Sequence, residues 1–556
     1  MIWTKTKKAV LGLALVTGSF GMVAYNSVSD NYFEISKNLD IFVNLYKQLN
    51  IYYVDETNPG ELMKTGIDAM LESLDPYTVY IPESDIEDYR FMTTGQYGGI
   101  GSLIRRKGDY VVVAEPYEGF PAFNAGLLAG DVILTIDGHD VKGKNTSEIS
   151  KLLKGQAKTE VKLVIERYGE KMDKTLIREN IKIKDVPYYG ELEKGVGYIK
   201  LTSFTETASK EVIKAFKELK EKNNITSLVF DLRGNGGGLL NEAVNIVNIF
   251  VPRGTEVVYT KGKMKEWQQS YKALNAPIDT EIPLIVLVDQ GSASASEIVS
   301  GALQDLDRAV VVGERTFGKG LVQQVKPLTY NSQFKVTVAK YYIPSGRCIQ
   351  KLDYSNKTDG KATAVADSLR KQFFTTAGRP VKDGKGVLPD IEVELPQAAD
   401  VTASLLGKNH IFDYASEFKR NNETIDSAKE FAMDESEYND FVSFLAGKDY
   451  DYTTRTEQSL EALKKAAEGD KYYERISEDY DQLVEKIKGN KDKDLLLHKD
   501  EISQILENEI ISRYYYQQGR IENSLKNDPR VKASISILKE QEKYKGILTA
   551  SAENKK

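Results

Sequence analysis

The sequence places serines where an apolar run ends and a helix begins. Residues 284–288 are apolar and rich in Ile and Val, a pattern typical of a buried strand. The turn signal Asp289-Gln290-Gly291 follows, then the segment 292–297, S-A-S-A-S-E. Helical spacing of apolar residues starts at Ile298, so a serine here would meet free N–H groups at a helix N-terminus. Nucleophilic serines of hydrolases often occupy such turns, although Ser-x-x-Glu is also an ordinary helix cap.

A nucleophilic serine needs a base, and the chain has only three histidines, His139, His410 and His498. None lies between residues 140 and 409, where the predicted strands are concentrated. A Ser-His-Asp triad would therefore need a distant histidine to fold back onto the serine. A lysine can be the base instead, if burial keeps its amine neutral. Lys319, which stands between two glycines, is the candidate.

The segment around Lys319 also nearly matches a phosphate-binding P-loop, G-x-x-x-x-G-K-[ST]. Position 320 is glycine, so the hydroxyl that would hold magnesium is missing. Residues 321–325 predict a strand, whereas a P-loop is followed by a helix whose N-terminus binds phosphate. Both features count against a nucleotide site.

Taken together, the serine and lysine segments resemble the catalytic core of the carboxyl-terminal processing proteases, or tail-specific proteases. The family pattern is a serine in S-A-S-A-S-E, a lysine 25 residues later in F-G-K-G and a glutamine four residues beyond, and this sequence matches it. The resemblance implies that Ser294 is the nucleophile, Lys319 the general base and Gln323 the residue that positions the lysine. It also implies a multidomain α/β protein with a crotonase-like (ClpP-like) protease core.

A glycine-rich segment, residues 232–238, follows the predicted buried strand 227–231 and resembles the family's D-L-R-x-N-x-G-G loop. Glycine N–H groups can point at a developing oxyanion because no Cβ stands in the way. By the resemblance, Gly236 and the N–H of Ala295 form the oxyanion hole. Gly237 stays open as the alternative to Gly236.

Upstream, residues 95–184 resemble a PDZ domain. Residues 130–138, GDVILTIDG, match the characteristic strand-turn G-D-x-I-x-x-I-D-G. PDZ domains bind a peptide C-terminus as an added strand and hold its carboxylate with backbone N–H groups of a glycine loop. Here that loop is Gly98-Gly99-Ile100-Gly101, and the predicted helix 147–153 forms the other wall. The resemblance implies protein partners with free C-termini.

The N-terminus has the pattern of a targeting segment. Lys5, Lys7 and Lys8 precede an apolar run with small residues, so residues 1–25 are predicted to be a signal peptide or an uncleaved anchor. We therefore expect an exported protein, periplasmic and either soluble or tethered to the inner membrane. Residues 26–94 predict a helical region.

Length and composition limit the other possibilities. A chain of 556 residues is too long for one core, and we divide its remainder into a protease core, residues 185–398, and a helical region, residues 399–556. The net charge of −7 without a basic patch argues against nucleic acid as a partner. The single cysteine, Cys348, excludes an intrachain disulfide, and we expect no metal or cofactor. The helices of residues 399–556 leave open a homo-oligomer, substrate capture or an adaptor.

These patterns together predict an exported serine endopeptidase that recognises protein C-terminal tails through a PDZ domain and cleaves with a Ser-Lys dyad. The alternative is a non-catalytic PDZ scaffold on a protease-like fold. The intact set of Ser294, Lys319 and Gln323 favours the enzyme.

Overall fold

A computed structural model describes residues 32–358, 361–395 and 397–549 of the chain. The predicted signal peptide or anchor, residues 1–25, lies outside these ranges. Within them, no helix has both the length and the apolar character needed to cross a bilayer. The chain divides into two compact units after Tyr80.

The first unit contains the helix α1 over residues 32–52, the helix α2 (Pro59–Glu72) and the start of the short strand β1 (Val79–Ile81). Helix α2 begins with Asn58, whose side chain accepts hydrogen bonds from two backbone N–H groups, and with proline at the first helical position. Both are strong signals for a helix start.

The second unit opens with helix α3 (Ile86–Thr94) and the module predicted to be a PDZ domain. Its strands are β2 (Gln96–Gly99), β3 (Ser102–Lys107), β4 (Tyr110–Pro116), β5 (Val132–Ile136), β6 (His139–Asp140), β7 (Glu160–Arg167), β8 (Glu170–Ile177) and β9 (Glu179–Lys182), and its helices are α4 (Pro121–Asn124) and α5 (Thr146–Leu153). The main sheet has the order β3-β4-β5-β7-β8, which leaves β3 at its edge, and β2 pairs with β9.

The region predicted to be the protease core is built on a six-stranded sheet. Its elements are β10 (Tyr188–Glu193), β11 (Val196–Lys200), α6 (Ala208–Asn223), β12 (Ser227–Asp231), α7 (Leu240–Val247), β13 (Glu256–Gly262), β14 (Ser270–Lys272), β15 (Leu284–Val288), α8 (Ala295–Asp305), β16 (Val310–Gly313), β17 (Leu321–Pro327), β18 (Gln333–Tyr342), β19 (Leu352–Thr358), β20 (Lys361–Ala364), β21 (Gln372–Phe374), β22 (Pro380–Lys382) and β23 (Ile391–Glu392). The sheet order is β10-β11-β12-β15-β16-β23, and every pair from β11 onward is parallel. A neighbouring antiparallel sheet pairs β17 with β18, β18 with β13 and β13 with β14.

The C-terminal region is helical. It contains α9 (Asp400–Gly407), α10 (His410–Asn421), α11 (Glu435–Phe444), α12 (Arg455–Gly469), α13 (Tyr473–Leu497), α14 (Lys499–Ser524), α15 (Pro529–Lys539) and α16 (Gln541–Leu548). Helices α9 to α11 and α14 contribute to a hydrophobic core of their own.

The last two helices, α15 and α16, also cover one face of the six-stranded sheet. Parallel sheets are normally covered on both faces, and their strands are apolar throughout. On β15 the side chains alternate: Leu284 and Val286 pack with helices α6 to α8, whereas Ile285 and Leu287 pack with residues of α15 and α16. Helices α15 and α16 are therefore the third layer of the α/β/α core.

Candidate active site

Three loops meet at one edge of the parallel sheet. The glycine loop, residues 232–238, follows β12. The serine turn, residues 289–294, follows β15, and the lysine loop, residues 314–320, follows β16. Because β12, β15 and β16 are neighbouring parallel strands, their carboxyl ends lie side by side, with the serine turn in the middle.

Ser294 occupies a strained strand-to-helix turn. It precedes α8 with φ 56° and ψ −111°, a backbone conformation that costs a non-glycine residue about 1–3 kcal/mol. The turn is held from both sides: the N–H of Ala293 donates to the carbonyl of Asn235 at 3.0 Å, and the N–H of Ser294 donates to Glu297 at 2.9 Å. The serine itself is only partly buried. Strain maintained in this way points to a functional residue.

Glu297 joins the serine turn to the lysine loop. Its side chain is 0% exposed, and Oε2 accepts hydrogen bonds from the backbone N–H groups of both Ser294 and Lys319, each at 2.9 Å. Oε1 accepts from the hydroxyl of Thr316 at 2.6 Å and from the N–H of Gly318 at 2.8 Å. Burial raises the pKa of Glu297 to about 7, although these four hydrogen bonds favour the charged form.

Tyr341, on β18, contacts the same two residues from another side. Its hydroxyl lies 2.7 Å from the carbonyl oxygen of Lys319 and 3.1 Å from that of Ser294, so its one proton serves both acceptors. Burial raises the pKa of Tyr341 well above 10, which keeps the hydroxyl a donor. The backbones of Ser294 and Lys319 thus share one acceptor, the Glu297 carboxylate, and one donor, the Tyr341 hydroxyl.

Lys319 is partly buried at the end of the lysine loop. The loop is anchored on the serine turn by the N–H of Phe317, which donates to the carbonyl of Ser292 at 3.0 Å. The strand β17 follows directly, so the predicted strand is confirmed and the helix of a P-loop is absent at this point. Gln323 lies on β17, where its amide donates to the hydroxyl of Thr337 at 3.3 Å.

The glycine loop carries the two oxyanion-hole candidates, Gly236 and Gly237, and contacts the serine turn through Gly237. A Cβ on Gly237 would lie 2.9 Å from the N atom of Ala295, so Gly237 packs directly against the turn. Its own N–H, however, donates to the side chain of the buried Asn235 at 2.9 Å. Among the described residues no group accepts a hydrogen bond from the N–H of Gly236 or of Ala295. This difference favours Gly236 over Gly237 as a donor to substrate.

Charged residues fix the start of the glycine loop. Asp231, at the end of β12, is fully buried, accepts from the hydroxyl of Tyr198 at 2.6 Å and pairs with Lys200 at 3.2 Å and Arg233 at 2.7 Å. Burial alone would raise the pKa of Asp231, but the two cations hold it well below its usual range. The glycine loop therefore begins at a buried carboxylate whose charge is balanced by two cations.

The predicted peptide loop is only partly a loop. Gly98 and Gly99 belong to β2 and pair with β9, and a Cβ on Gly98 would lie 2.0 Å from the carbonyl oxygen of Gly155. Ile100 and Gly101 then turn into the edge strand β3, and no described residue accepts from their N–H groups. Helix α5 lies beside β3. An edge strand, a facing helix and two unused N–H groups together form a groove suited to an extended peptide.

Known proteins match several parts of the chain. The model for peptidase family S41 matches residues 195–356, a PDZ domain model matches residues 112–167, and the model described as the C-terminal helical domain of a probable PDZ-protease matches residues 401–538. The carboxy-terminal-processing protease of Bartonella bacilliformis is 36% identical over 340 residues, which cover 60% of this chain and 78% of the relative. This chain belongs to the carboxy-terminal-processing proteases of peptidase family S41.

Two further proteins are similar to this S41 peptidase. A probable CtpA-like serine protease of Staphylococcus aureus is 34% identical over 396 residues, 70% of this chain and 72% of the relative. The solved photosystem II D1 C-terminal processing protease is 32% identical, covers 64% of this chain and 92% of its own, and has a TM-score of 0.35. The prediction of a serine peptidase of mixed α/β structure with a PDZ domain is thus confirmed.

None of the three histidines of this S41 peptidase lies at the serine turn. His139 is exposed on β6, Nε2 of His410 lies 2.8 Å from the carbonyl oxygen of Asp449, and His498 separates α13 from α14. Glu297 was predicted from the sequence only as part of a helix cap, and Tyr341 was not predicted as a site residue. The Ser-x-x-Glu pattern was the one available signal for Glu297; its bond to Lys319 depends on the fold.

Proposed function

We propose that this chain is an exported serine endopeptidase that recognises protein C-terminal tails through its PDZ domain and cleaves with a Ser294–Lys319 dyad. The observation that supports the dyad best is the shared carboxylate of Glu297, which fixes the backbones of both residues. The catalytic region, residues 185–398, is proposed to be crotonase-like, with residues 95–184 as the tail-binding module and residues 399–556 as the helical domain.

The chemistry follows from these roles. The neutral amine of Lys319 takes the proton of the Ser294 hydroxyl while Oγ bonds to the carbonyl carbon of the scissile peptide. The N–H groups of Gly236 and Ala295 donate hydrogen bonds to the carbonyl oxygen as negative charge develops on it. The C–N bond then breaks and the leaving amine receives the proton from Lys319. Lys319 next takes a proton from the water that attacks the acyl-enzyme, the ester bond to Oγ breaks, and Oγ receives that proton back from the lysine as the acid product leaves. Gln323 keeps the lysine in position.

Substrate choice is assigned to the PDZ groove. An extended tail would pair with the free edge of β3, and its terminal carboxylate would accept hydrogen bonds from the N–H groups of Ile100 and Gly101. A chain whose C-terminus is an amide lacks the negative charge that these donors favour.

Export is proposed from the sequence of residues 1–25, in which lysines precede an apolar run. The enzyme would then act in the periplasm, soluble or tethered to the inner membrane. Fractionation of cells tests this, since recovery of the active protein mainly from the cytosol would contradict it.

The central test compares one peptide in two forms, with a free and with an amidated C-terminus, at subsaturating concentration. Wild-type protein should cleave the free form faster and should be labelled at Ser294 by a fluorophosphonate, whereas Ser294→Ala should bind the tail without cleaving it. Equal cleavage of both forms would contradict the proposal that the PDZ domain recognises a free C-terminus. Tail binding without cleavage or labelling of the wild-type protein would instead favour the non-catalytic scaffold.

A further inference from the structure

The start of helix α15 contacts two of the three loops at the candidate active site. The carboxylate of Asp528 pairs with the guanidinium of Arg233 in the glycine loop, and the guanidinium of Arg530 pairs with the carboxylate of Glu314 in the lysine loop. We propose that Asp528 and Arg530 are positioning residues that hold both loops in place relative to Ser294. This inference rests on the proposed function.

Asp528 performs two tasks with its two oxygens. Oδ1 accepts hydrogen bonds from the backbone N–H groups of Arg530 at 2.8 Å and Val531 at 3.3 Å, which caps α15. Oδ2 pairs with Arg233. Since the cap fixes the orientation of the carboxylate, the helix presents a rigid acceptor to the glycine loop.

Arg233 transmits this constraint to the loop. Its guanidinium also binds Asp231, and its side chain is only 13% exposed, so solvent competes little for either pair. The next residue, Gly234, donates its N–H to the carboxylate of Asp289 in the serine turn at 2.9 Å. The glycine loop is therefore held between α15 on one side and the serine turn on the other.

Arg530 has the matching position at the lysine loop. Its side chain is 4% exposed, and Nε donates to the carbonyl of Val393 at 3.1 Å while the guanidinium pairs with Glu314. The second oxygen of Glu314 accepts from the amide of Gln290 in the serine turn at 3.1 Å. Helix α15, the lysine loop and the serine turn are thus connected through one carboxylate.

These contacts form a closed series around the candidate nucleophile. Helix α15 binds the glycine loop, the glycine loop binds the serine turn, the serine turn binds the lysine loop, and the lysine loop binds α15. Apolar residues of α15 such as Val531, Ile537 and Leu538 already cover the sheet, so the ion pairs are not needed to bury that face. Buried ion pairs contribute little net stability but do fix geometry, and catalysis is sensitive to displacements of about 1 Å.

The test uses substitutions that preserve the helix. Asp528→Asn keeps an oxygen for the cap but turns an amide toward Arg233, and Arg530→Met keeps the aliphatic volume without the charge. Each should lower kcat by about tenfold or more, as expected for a misplaced catalytic loop, with KM for a tail peptide within about twofold. Asp528→Ser, which also caps a helix, is the second variant at that position should Asp528→Asn fold poorly.

Lys539→Met is the matched control. Lys539 lies on the same helix and also pairs with the protease region, but its partner at 2.9 Å is Glu193 on the outer strand β10. Lys539→Met should therefore leave kcat unchanged. The charge exchange Arg530→Glu with Glu314→Arg should recover part of the kcat that either single change loses.

Rates are divided by the number of sites that a fluorophosphonate titrates, so partial unfolding does not count as lost catalysis. Hydrogen exchange should increase in residues 233–238 for Asp528→Asn and in residues 314–320 for Arg530→Met. Two results would overturn the inference while leaving the proposed function intact. One is a wild-type kcat per titrated site in both Asp528→Asn and Arg530→Met. The other is a charge-exchange variant whose kcat is no higher than that of either single change. If wild-type protein neither cleaves nor is labelled at Ser294, the proposed function fails, and this inference fails with it.

Discussion

Thr316 donates a hydrogen bond of 2.6 Å to Oε1 of Glu297 and accepts one of 2.7 Å from the N–H of Val387. Its hydroxyl proton is therefore committed to the carboxylate. The other three groups that bind Glu297 are backbone N–H groups, which can only donate. A proton on either carboxylate oxygen would compete with a donor already there, so the ionised form is the one that holds the serine turn and the lysine loop together.

Activity should consequently fall as the pH drops through about 7. Burial raises the pKa of Glu297 to about 7, so the carboxylate gains its proton near neutrality. We expect Glu297 to contribute the slope of a single ionisation, about tenfold in kcat/KM per pH unit, to the decline on the acid side. Glu297→Gln should be poorly active and should lack this contribution, so that only protonation of the proposed base Lys319 lowers its activity. A wild-type pH profile in Glu297→Gln would contradict this role.

Stability should change with pH in the opposite direction. The folded-state pKa of Glu297, about 7, lies above the ordinary 4.5, so the folded protein binds this proton more tightly than the unfolded chain does. The resulting stabilisation is complete below about pH 4.5 and is lost as pH rises through 7, a change of about 3 kcal/mol in the free energy of unfolding. Urea unfolding at several pH values measures it as the difference between the wild-type protein and Glu297→Gln.

The dyad predicts a specific pattern among substitutions. Lys319→Ala should lose activity as fully as Ser294→Ala, because residues that act as a unit are not additive. Lys319→Arg should fail as well, since guanidinium stays protonated. Gln323→Ala should be milder because this side chain orients the base. Lys326→Ala, an exposed lysine on the same strand β17, is the control and should keep wild-type turnover. Full activity in folded Lys319→Ala would rule out the dyad.

Local signals predicted the strands that position the site. The predicted buried strands 227–231 and 284–288 are β12 (Ser227–Asp231) and β15 (Leu284–Val288), with unchanged bounds. Continuous apolar runs that end at turn residues are visible in the sequence itself, because strands buried on both faces need no polar side. The serine turn and the lysine loop could be located for the same reason.

What covers the second face of those strands could not be predicted. Ile285 and Leu287 show that this face is buried, but their partners Leu538 and Tyr544 lie some 250 residues away in the chain. The same limit hid Tyr341, whose hydroxyl finds its acceptors only once β18 is folded against the lysine loop. Contacts between distant residues leave no periodic pattern, so the helical C-terminus was predicted only as a region for assembly, capture or docking.

The glycine loop offers a steric test of the oxyanion assignment. Gly237 has φ 100°, and a Cβ there would lie 2.7 Å from the carbonyl oxygen of Ala293, whereas a Cβ on Gly236 would meet nothing within 4 Å. Gly237→Ala should therefore displace the turn and reduce kcat about a hundredfold, as expected for a disturbed oxyanion hole. Gly236→Ala keeps its N–H and should stay within a few-fold of wild type. The ratio of the two kcat values is the measurement, and equal losses would contradict the assignment.

The far end of helix α8 supplies a stability test. Arg347 and Asp305 form an ion pair of 2.8 Å with side chains 1% and 0% exposed, and Arg347 also donates to Gln304 at 2.7 Å. Burial raises the pKa of Asp305, and the charge of Arg347 opposes that shift. Arg347→Met would leave a buried carboxylate without its counter-charge, which typically costs about 3–5 kcal/mol.

That loss should itself depend on pH. Without Arg347 the pKa of Asp305 rises further, so the folded variant binds a proton that the unfolded chain releases, and its deficit should shrink as the pH is lowered from 8 to 5. Urea unfolding of the wild-type protein and Arg347→Met at the two pH values measures both effects. Lys222→Ala, which removes an exposed pair with Glu218, should change neither. A deficit in Arg347→Met that is the same at pH 8 and pH 5 would mean that lost packing, rather than the uncompensated charge of Asp305, destabilises the variant.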